Sequence, residues 1–211
     1  MIHMMEQRSP EWYAHRLGRV TASRVADLMA QTKTGPSAAR KNYLAELVVE
    51  RLTGQSPAAF SNAAMQWGAD QEPAAREAYE FMHAAQVQEV GFIDHPQIDM
   101  AGCSPDGLVG EEGMVEIKCP NTATHIDTLL RGAIEGKYLK QMQFQMACAG
   151  RGWCDFVSYD PRLPVEMQLW VKRVHRDQEA QAEIDEAVSA FMAEVDETVA
   201  ALRARYMAEA A

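Results

Sequence analysis

Two acidic residues and a lysine near the middle of the chain have the types and spacing needed for metal-assisted chemistry on phosphate. Asp106 follows Pro105, Glu116 lies ten positions later, and Lys118 is two residues beyond Glu116. Paired carboxylates bind hard divalent cations, and Mg²⁺ needs only one or two of them together with water and a substrate phosphate. A neighbouring lysine can act on water or on phosphate charge. The same spacing, taken alone, also fits a surface hairpin with solvated charges.

The surrounding residues predict that this group lies on a β-hairpin. Residues 114–119 lie between a glycine and a proline, which indicates a strand. Because side chains alternate along a strand, the second acid and the lysine share one face, and the carbonyl of Ile117 between them is a further candidate oxygen ligand. Residues 106–109 predict the antiparallel neighbour. This pairing would place Asp106 beside Glu116.

Composition and length indicate an ordinary globular protein. The chain has 211 residues, of which 47% are hydrophobic and 24% are charged. No apolar run approaches the ~20 residues of a membrane span, and the N-terminus does not have the order of a secretory signal, so no membrane partner is expected. The four cysteines form no C-x-x-C pair. Buried free thiols in a reducing cytoplasm are the expected reading.

The net charge of −10 is unevenly distributed along the chain. Residues 1–60 carry eight basic and five acidic side chains, a balance of +3, whereas residues 177–211 carry two basic and nine acidic ones, a balance of −7. Phosphate binding depends on Lys and Arg. We therefore expect the first region to meet phosphate, and the acidic end to face away from it or to repel stray DNA. Ordinary solvated faces would explain the same distribution.

Capping signals and hydrophobic periodicity predict one α/β domain with a mixed central sheet flanked by helices. The expected parts are an N-terminal helical part (about 1–85), a strand-rich core (about 86–176) and a C-terminal helix (about 177–208). The helices before the core are expected at 10–17, 21–30, 38–52 and 62–84, the last with possible breaks at Gly68 and Pro73. Within the core we expect a helix at 137–149 and strands at 87–93, 100–104, 106–109, 114–119, 153–159 and 165–174.

Short motifs along nearly the whole chain resemble those of the lambda-phage exonuclease (Red alpha) family of viral recombination nucleases, which belongs to the PD-(D/E)XK superfamily. Each motif alone is a weak signal, but their order and spacing together are specific. In chain order they are Arg16-Leu17-Gly18 with Thr21-Ala22-Ser23, Trp67-Gly68 with Glu72 and Ala75-Arg76, Cys103-Ser104-Pro105-Asp106-Gly107-Leu108, Glu116-x-Lys118-Cys119-Pro120, Tyr138-x-x-Gln141-x-Gln143 and Tyr159-Asp160-Pro161-Arg162.

The resemblance implies a two-metal nuclease that uses Mg²⁺, for which Mn²⁺ would substitute. Asp106 would share the two cations. Glu116 and the Ile117 carbonyl would complete one metal site, and Glu72 would support the other directly or through water. Lys118 would orient or deprotonate the attacking water; an ion pair with Glu116 is its purely structural alternative.

The resemblance also implies a set of DNA contacts at the 5′ end of a strand. Arg16 matches the arginine that holds the 5′-terminal phosphate in this family. Thr21 and Ser23, at a helix start, would add hydroxyl and backbone donors to the same anion pocket. Ser104 would touch a phosphate beside the first catalytic acid. Without the resemblance, Arg16 would be read as a surface charge and Thr21 as a plain helix cap.

Three further residues match positions near the scissile phosphate in this family. Tyr138 and Gln141 are three apart on one helical face and would line the cleft. Met65 matches the apolar wedge that parts the strands ahead of cutting. Alternatively, Tyr138 and Gln141 form a polar helix edge, and Met65 belongs to the helix core.

The function implied by the resemblance is a 5′→3′ exonuclease acting on double-stranded DNA ends that carry a 5′-phosphate. It would work as a ring-shaped homotrimer in the bacterial host cytoplasm, encoded by a phage or prophage, and would supply 3′ single strands to an annealing protein for recombination. Two alternatives remain open on the sequence: an endonuclease or junction resolvase of the same fold, and a non-catalytic clamp on DNA ends.

Overall fold

The computed structural model describes residues 1–56 and 63–207, apart from the side chain of Met65. The α-helices of the described residues are α1 (Pro10–Arg16), α2 (Val25–Leu28), α3 (Ala38–Thr53), α4 (Ala63–His83), α5 (Thr122–Arg131), α6 (Gly136–Ala149), α7 (Val165–Gln168) and α8 (Gln178–Tyr206), and a 3₁₀ turn covers Ala22–Arg24. The strands are β1 (Ile2–His3), β2 (Val20–Thr21), β3 (Gln31–Thr32), β4 (Gly35–Pro36), β5 (Val87–Gln88), β6 (Phe92–Asp94), β7 (Ala101–Cys103), β8 (Gly107–Val109), β9 (Gly113–Lys118), β10 (Trp153–Tyr159) and β11 (Leu169–His175).

The larger sheet has five strands in the order β11-β10-β9-β8-β5. Its central pair, β9 and β10, is parallel, and the other neighbours are antiparallel. A second sheet has the order β1-β6-β7-β2, in which β2 runs parallel to β7. Strands β3 and β4 form a separate hairpin. The predicted fold class, α/β with mixed sheets flanked by helices, is confirmed, but the strands are divided between two main sheets.

Strand β9 is buried on both of its faces, so its alternating side chains enter two different cores. Met114 packs in a core that also contains residues of α6 and α8. Val115 and Ile117 point to the opposite face and pack with Ala75 and Tyr79 of α4. The predicted alternation along this strand is therefore confirmed, and it leaves Glu116 on the face covered by α6.

Local sequence signals account for the starts of several helices. The Ser9 and Ser37 hydroxyls accept hydrogen bonds from the backbone N–H groups of Trp12 and Arg40, at 3.2 and 3.1 Å. These bonds cap α1 and α3, because the first N–H groups of a helix have no partner within it. Helix α4 runs through Pro73 without a break. The expected interruptions at Gly68 and Pro73 are thus absent from this helix.

The strand predicted at 87–93 is wrong, because its two ends belong to different sheets. Val87 and Gln88 pair with β8, whereas Phe92 and Ile93 pair with β1 and β7. At Gly91 the backbone lies so close to the N-terminal segment that a Cβ there would be 2.2 Å from the Met5 carbonyl oxygen. This tertiary contact, which local pattern does not encode, lets the chain cross from one sheet to the other.

Three smaller expectations also need correction. The helix expected at 21–30 is a 3₁₀ turn followed by the short α2, and the strand expected at 165–174 begins with one helical turn, α7. Helix α5 was not predicted, although Asn121 caps it by accepting from Thr124 N at 3.0 Å. Its ten residues are clearly amphipathic, so periodicity together with this cap could have identified the helix from the sequence.

The acidic C-terminal helix does not face away from the basic N-terminal region. Helix α8 packs on α3, where Arg40 lies 2.6 Å from Glu194 and Arg51 pairs with Asp196. Two of the basic side chains counted toward the N-terminal excess are therefore neutralised within the fold. The charge that remains for phosphate has to come from other residues.

The four cysteines are free and buried, as expected. Burial raises the pKa of the Cys119 thiol to about 12, so this thiol stays protonated at neutral pH. Among the helices of the described residues, none is both long and apolar enough to cross a bilayer.

Candidate active site

The β8–β9 hairpin brings Asp106 next to Glu116. The register pairs Gly107 with Val115, so the residues one step earlier and one step later, Asp106 and Glu116, lie opposite each other. A Cβ on Gly107 would be 2.1 Å from Cγ1 of Val87, so only glycine lets β5 pack this closely against the start of β8, next to Asp106. The Asp106 carboxylate accepts a hydrogen bond from Ile117 N at 2.6 Å. The predicted pairing of the two acids is confirmed by this geometry.

Donors surround the carboxylate of Glu116, which is 1% exposed. Gln141 donates from Nε2 to Oε1 at 2.6 Å, and Gln145 donates from Nε2 to Oε2 at 2.7 Å. Lys118 Nζ lies 2.5 Å from Oε1. Each carboxylate oxygen thus has at least one strong partner, as a buried charge requires.

The electrostatics of this group favour an added positive charge. Burial, followed by repulsion from Glu116, raises the pKa of Asp106 well above its usual range, although Lys118 opposes that shift. Burial by itself would lower the pKa of Lys118, but attraction to Glu116 and Asp106 outweighs it and holds that pKa above its ordinary value. Two close carboxylates share one compensating lysine.

The donor set fits a hard divalent cation. Carboxylate oxygens are the ligands that Mg²⁺ and Mn²⁺ prefer, and Asp106, whose neutral form is favoured by burial, would be stabilised as an anion by such an ion. The Ile117 carbonyl follows in sequence between the second acid and the lysine. Residues Asp106, Glu116 and Ile117 are therefore compatible with the metal ligands expected from the sequence.

A second set of polar groups comes from α1 and the segment after it. Arg16 stacks over the Trp12 ring, 4.1 Å from its centroid, and donates to Ser104 Oγ at 3.2 Å. Trp12 donates to the same Oγ at 2.9 Å. Thr21 and Ser23 lie beside Arg16, with their hydroxyl oxygens 3.4 Å apart. Burial lowers the pKa of Arg16, and no carboxylate of the described residues forms an ion pair with it.

Both sets line one open cavity of about 180 Å³. Its lining includes the two acids, the lysine and both glutamines together with the arginine and the hydroxyl-bearing residues. The lining residues are Gln7, Arg8, Trp12, Arg16, Thr21, Ala22, Ser23, Ser104, Asp106, Glu116, Lys118, Gln141 and Gln145. The structure therefore brings together the acids, the basic residue and the phosphate-type donors that the sequence suggested.

Glu72 is held away from this group by arginines. Arg8 lies 2.6 Å from one of its carboxylate oxygens and Arg76 lies 3.1 Å from the other. Asp106, Glu116 and Glu72 do not all lie within 4.8 Å of one another. Glu72 nonetheless contributes to raising the pKa of Asp106, so it is near enough to act on the site through charge or water.

Tyr138 is not among the residues that line this cavity. Tyr138 lies next to Lys118, whose Nζ is 5.3 Å from the ring centroid, and the two line a smaller adjoining space of about 20 Å³. The backbone of Met65 belongs to α4, but its side chain lies outside the described residues. The wedge assignment therefore stays a prediction.

Sequence reasoning missed three residues that shape the site. Gln145 stands four residues after Gln141 on α6, so its spacing would have placed it on the same helical face. Trp12 and Gln7 come from the N-terminal segment, and Gln7 donates to the Pro105 carbonyl at 2.8 Å. The N-terminal contacts join residues more than ninety positions apart and leave no local signal.

Comparisons with known proteins agree with this fold and site. The model of the YqaJ-like viral recombinase domain matches residues 11–152. The crystal structure of an alkaline exonuclease (LHK-Exo) from Laribacter hongkongensis is 54% identical, with a TM-score of 0.88, 93% of this chain covered and 97% of that chain. LHK-Exo in complex with dAMP gives the same values. No match was found among curated proteins.

A more distant structure shares the fold. It is a phage-related exonuclease from Haemophilus somnus 129PT, 18% identical, with a TM-score of 0.71, 87% of this chain covered and 96% of that chain. The family match and the similarity to the alkaline exonuclease LHK-Exo support a nuclease role. The chain belongs to the YqaJ-like viral recombinase family.

Replacing Gln145 should impair cleavage more than folding. In Gln145→Leu, one oxygen of the buried Glu116 carboxylate loses its donor, so we expect nuclease activity to fall by about 10- to 100-fold. Gln143→Leu is the matched control, because Gln143 points away from the acids and donates to the His175 carbonyl at 2.9 Å.

Steady-state nuclease rates and thermal unfolding of both variants distinguish the two roles. The control should lose stability while keeping its rate per folded molecule. Equal rates for Gln145→Leu and the parent would contradict the assigned role of Gln145 in holding Glu116.

Proposed function

We propose that this protein is a Mg²⁺-dependent 5′→3′ exonuclease that degrades the 5′-ended strand of double-stranded DNA. The observation that carries the proposal is one cavity lined by Asp106, Glu116 and Lys118 together with Arg16 and Ser104. The first three residues suit phosphodiester hydrolysis. The other two suit a terminal phosphate. A cavity that contains both sets of residues fits the end of a DNA strand better than the interior of a strand.

In this proposal Asp106, Glu116 and the Ile117 carbonyl would hold the catalytic ions, and Glu72 would support them through water. Bound Mg²⁺ ions supply Lewis-acid stabilisation of the attacking and leaving oxygens. Gln141 and Gln145 fix the orientation of the Glu116 carboxylate. Their amide donors thus keep one ligand in place while substrate enters and product leaves.

The reaction is an in-line displacement at phosphorus. A water oxygen forms a new bond to phosphorus while the bond from phosphorus to the leaving 3′ oxygen breaks, and the 3′ oxygen takes a proton from solvent. Because its pKa is held above the ordinary value, Lys118 stays protonated and would orient the attacking water, whose proton passes to solvent. The products are a 5′-mononucleotide and a strand one residue shorter. The dAMP bound to LHK-Exo is a nucleotide of this kind.

Arg16 gives the proposed direction of digestion. Its guanidinium is half-buried, stacks on Trp12 and is not neutralised by a carboxylate of the described residues, so it can offer a charge-assisted contact to a terminal phosphate. Ser104 and the hydroxyls of Thr21 and Ser23 add donors. Tyr138 lies past Lys118, where it would border the nucleotide beyond the scissile bond.

The proposal extends to the assembly and the cell. A ring-shaped homotrimer around the duplex would give processivity, Met65 would part the strands, and the 3′ overhangs would pass to a phage annealing protein in the bacterial host cytoplasm. Native mass spectrometry tests the assembly: three chains per particle are expected. A monomer at working concentration would remove the ring from the proposal.

Three forms of one plasmid separate exonuclease from endonuclease. With Mg²⁺ we expect digestion of the linear form only, leaving 3′ single strands, and no reaction after chelation. Cutting of closed circles would instead indicate an endonuclease or resolvase. Gel analysis of linear, nicked and closed DNA provides the measurement.

The same assay with Asp106→Asn tests the metal ligands. Because Asp106 would be a ligand of the catalytic ions, activity should fall by at least about 10³-fold, while binding to DNA ends, measured by fluorescence anisotropy, persists. Undiminished turnover in this variant would refute the site assignment. Thermal unfolding of the variant is measured as well. It shows whether a loss of both turnover and end binding is caused by unfolding.

Arg16→Ala should remove the preference for phosphorylated ends. The parent is expected to digest 5′-phosphate duplexes faster than 5′-hydroxyl ones, by about 10-fold or more, since a charge-assisted contact contributes about 1.5–3 kcal/mol. Arg151→Ala is the control, because Arg151 donates to the Gly110 carbonyl, near the Gly113 end of β9. The ratio of the two initial rates is measured for each protein. An unchanged ratio in Arg16→Ala would rule out the phosphate pocket.

A further inference from the structure

A second group of candidate metal ligands lies outside the catalytic cavity. It consists of His3 on β1, His15 on α1 and Asp94 on β6. His3 Nε2 is 2.7 Å from Asp94 Oδ2, and His15 Nε2 is 3.4 Å from Asp94 Oδ1. Among the described residues it is the one group of three or more His, Cys, Asp or Glu whose ligand atoms all lie within 4.8 Å of one another. None of the three lines the catalytic cavity.

The donor types differ from those of the catalytic site. Two imidazole nitrogens and one carboxylate oxygen suit Zn²⁺, whereas Mg²⁺ prefers oxygen ligands alone. Ligand atoms on one tetrahedral zinc ion lie about 3.3 Å apart, given bond lengths of about 2.0–2.2 Å. The 2.7 Å between His3 Nε2 and Asp94 Oδ2 would have to lengthen by about 0.6 Å, and the three ligand atoms already lie within 4.8 Å of one another.

The three side chains are accessible to solvent, and the neutral form of His15, which can bind a metal ion, is favoured. The three side chains are 20–26% exposed, so water can reach a fourth position. Burial, followed by the charge of Arg19, lowers the pKa of His15 below its ordinary value. A neutral imidazole is the form that binds metal. The rings of His3 and His15 have centroids 4.3 Å apart, so both reach the same space.

Nearby positive charge is the main opposing factor. Arg19 donates to Asp94 Oδ1 at 3.3 Å, and the amino group of Met1 lies 4.0 Å from Oδ2. The arginine contact still leaves Oδ2 turned toward His3, and a fixed second oxygen is a common way to orient a ligating carboxylate. The amino group would have to move aside. Both charges weaken the affinity without removing the ligand geometry.

We propose that His3, His15 and Asp94 form a structural Zn²⁺ site that is separate from the catalytic ions. The ion would tie the two-residue edge strand β1 and helix α1 to strand β6, which lies nearly eighty residues further along the chain. His15 is followed directly by Arg16, which reaches Ser104 in the catalytic cavity. Zinc would thereby hold the helix that carries the proposed phosphate-binding arginine.

Zinc titration of a protein with a disabled catalytic site tests this directly. Isothermal titration with Zn²⁺ is performed on Asp106→Asn in excess Mg²⁺, so that catalytic carboxylates do not contribute. We expect one Zn²⁺ per chain. Adding either His15→Gln or Asp94→Asn to this background should abolish that binding. Adding His83→Gln, which changes an exposed histidine at the end of α4, should leave it intact.

Thermal unfolding provides a second readout. At a Zn²⁺ concentration 100-fold above its dissociation constant, binding multiplies the folding equilibrium constant about 100-fold, so the melting temperature should rise by several degrees. The rise should disappear in His15→Gln, whose unfolding without zinc also shows whether that variant folds. Zinc binding of equal stoichiometry in His15→Gln and its parent, or none in the parent, would overturn the proposal.

Discussion

The charge balance around the buried Glu116 carboxylate is the constraint on which the site depends. Burying an unpaired carboxylate costs several kcal/mol, so the fold must surround it with donors. Gln141, Gln145 and Lys118 supply them from two elements, α6 and β9. Asp106 adds a second negative charge to the same region, and one lysine is left to compensate both acids. The hydrogen-bonding needs of Glu116 are therefore met, while the remaining negative charge attracts a cation.

The sheet explains why this balance is possible. Strand β9 lies in the middle of five strands and is covered on both faces, so Glu116 and its neighbours are held without freedom to move toward solvent. The close contact at Gly107 fixes the approach of β5 beside Asp106. Rigid support of this kind keeps ligand atoms in a productive position, which catalysis of phosphate hydrolysis requires.

The second sheet and α1 supply the arginine and hydroxyl groups that line the cavity. Trp12 connects them, because its indole donates to Ser104 and its ring supports Arg16. The charge excess of residues 1–60 is smaller in the fold than in the sequence, since α8 neutralises Arg40 and Arg51 of α3. A protein with a large negative net charge can still offer an anion a local site when one arginine is left without a carboxylate partner.

The sequence by itself determined the spacing of Asp106, Glu116 and Lys118, the alternation that puts the last two on one face, and the class of fold. These features depend on residues close together in the chain, where strand and helix geometry follow directly from pattern. Tertiary structure alone decided that residues 87–93 divide between two sheets, that α8 lies on α3, and that arginines hold Glu72. Each of these depends on contacts between segments distant in sequence, whose energies no local pattern records.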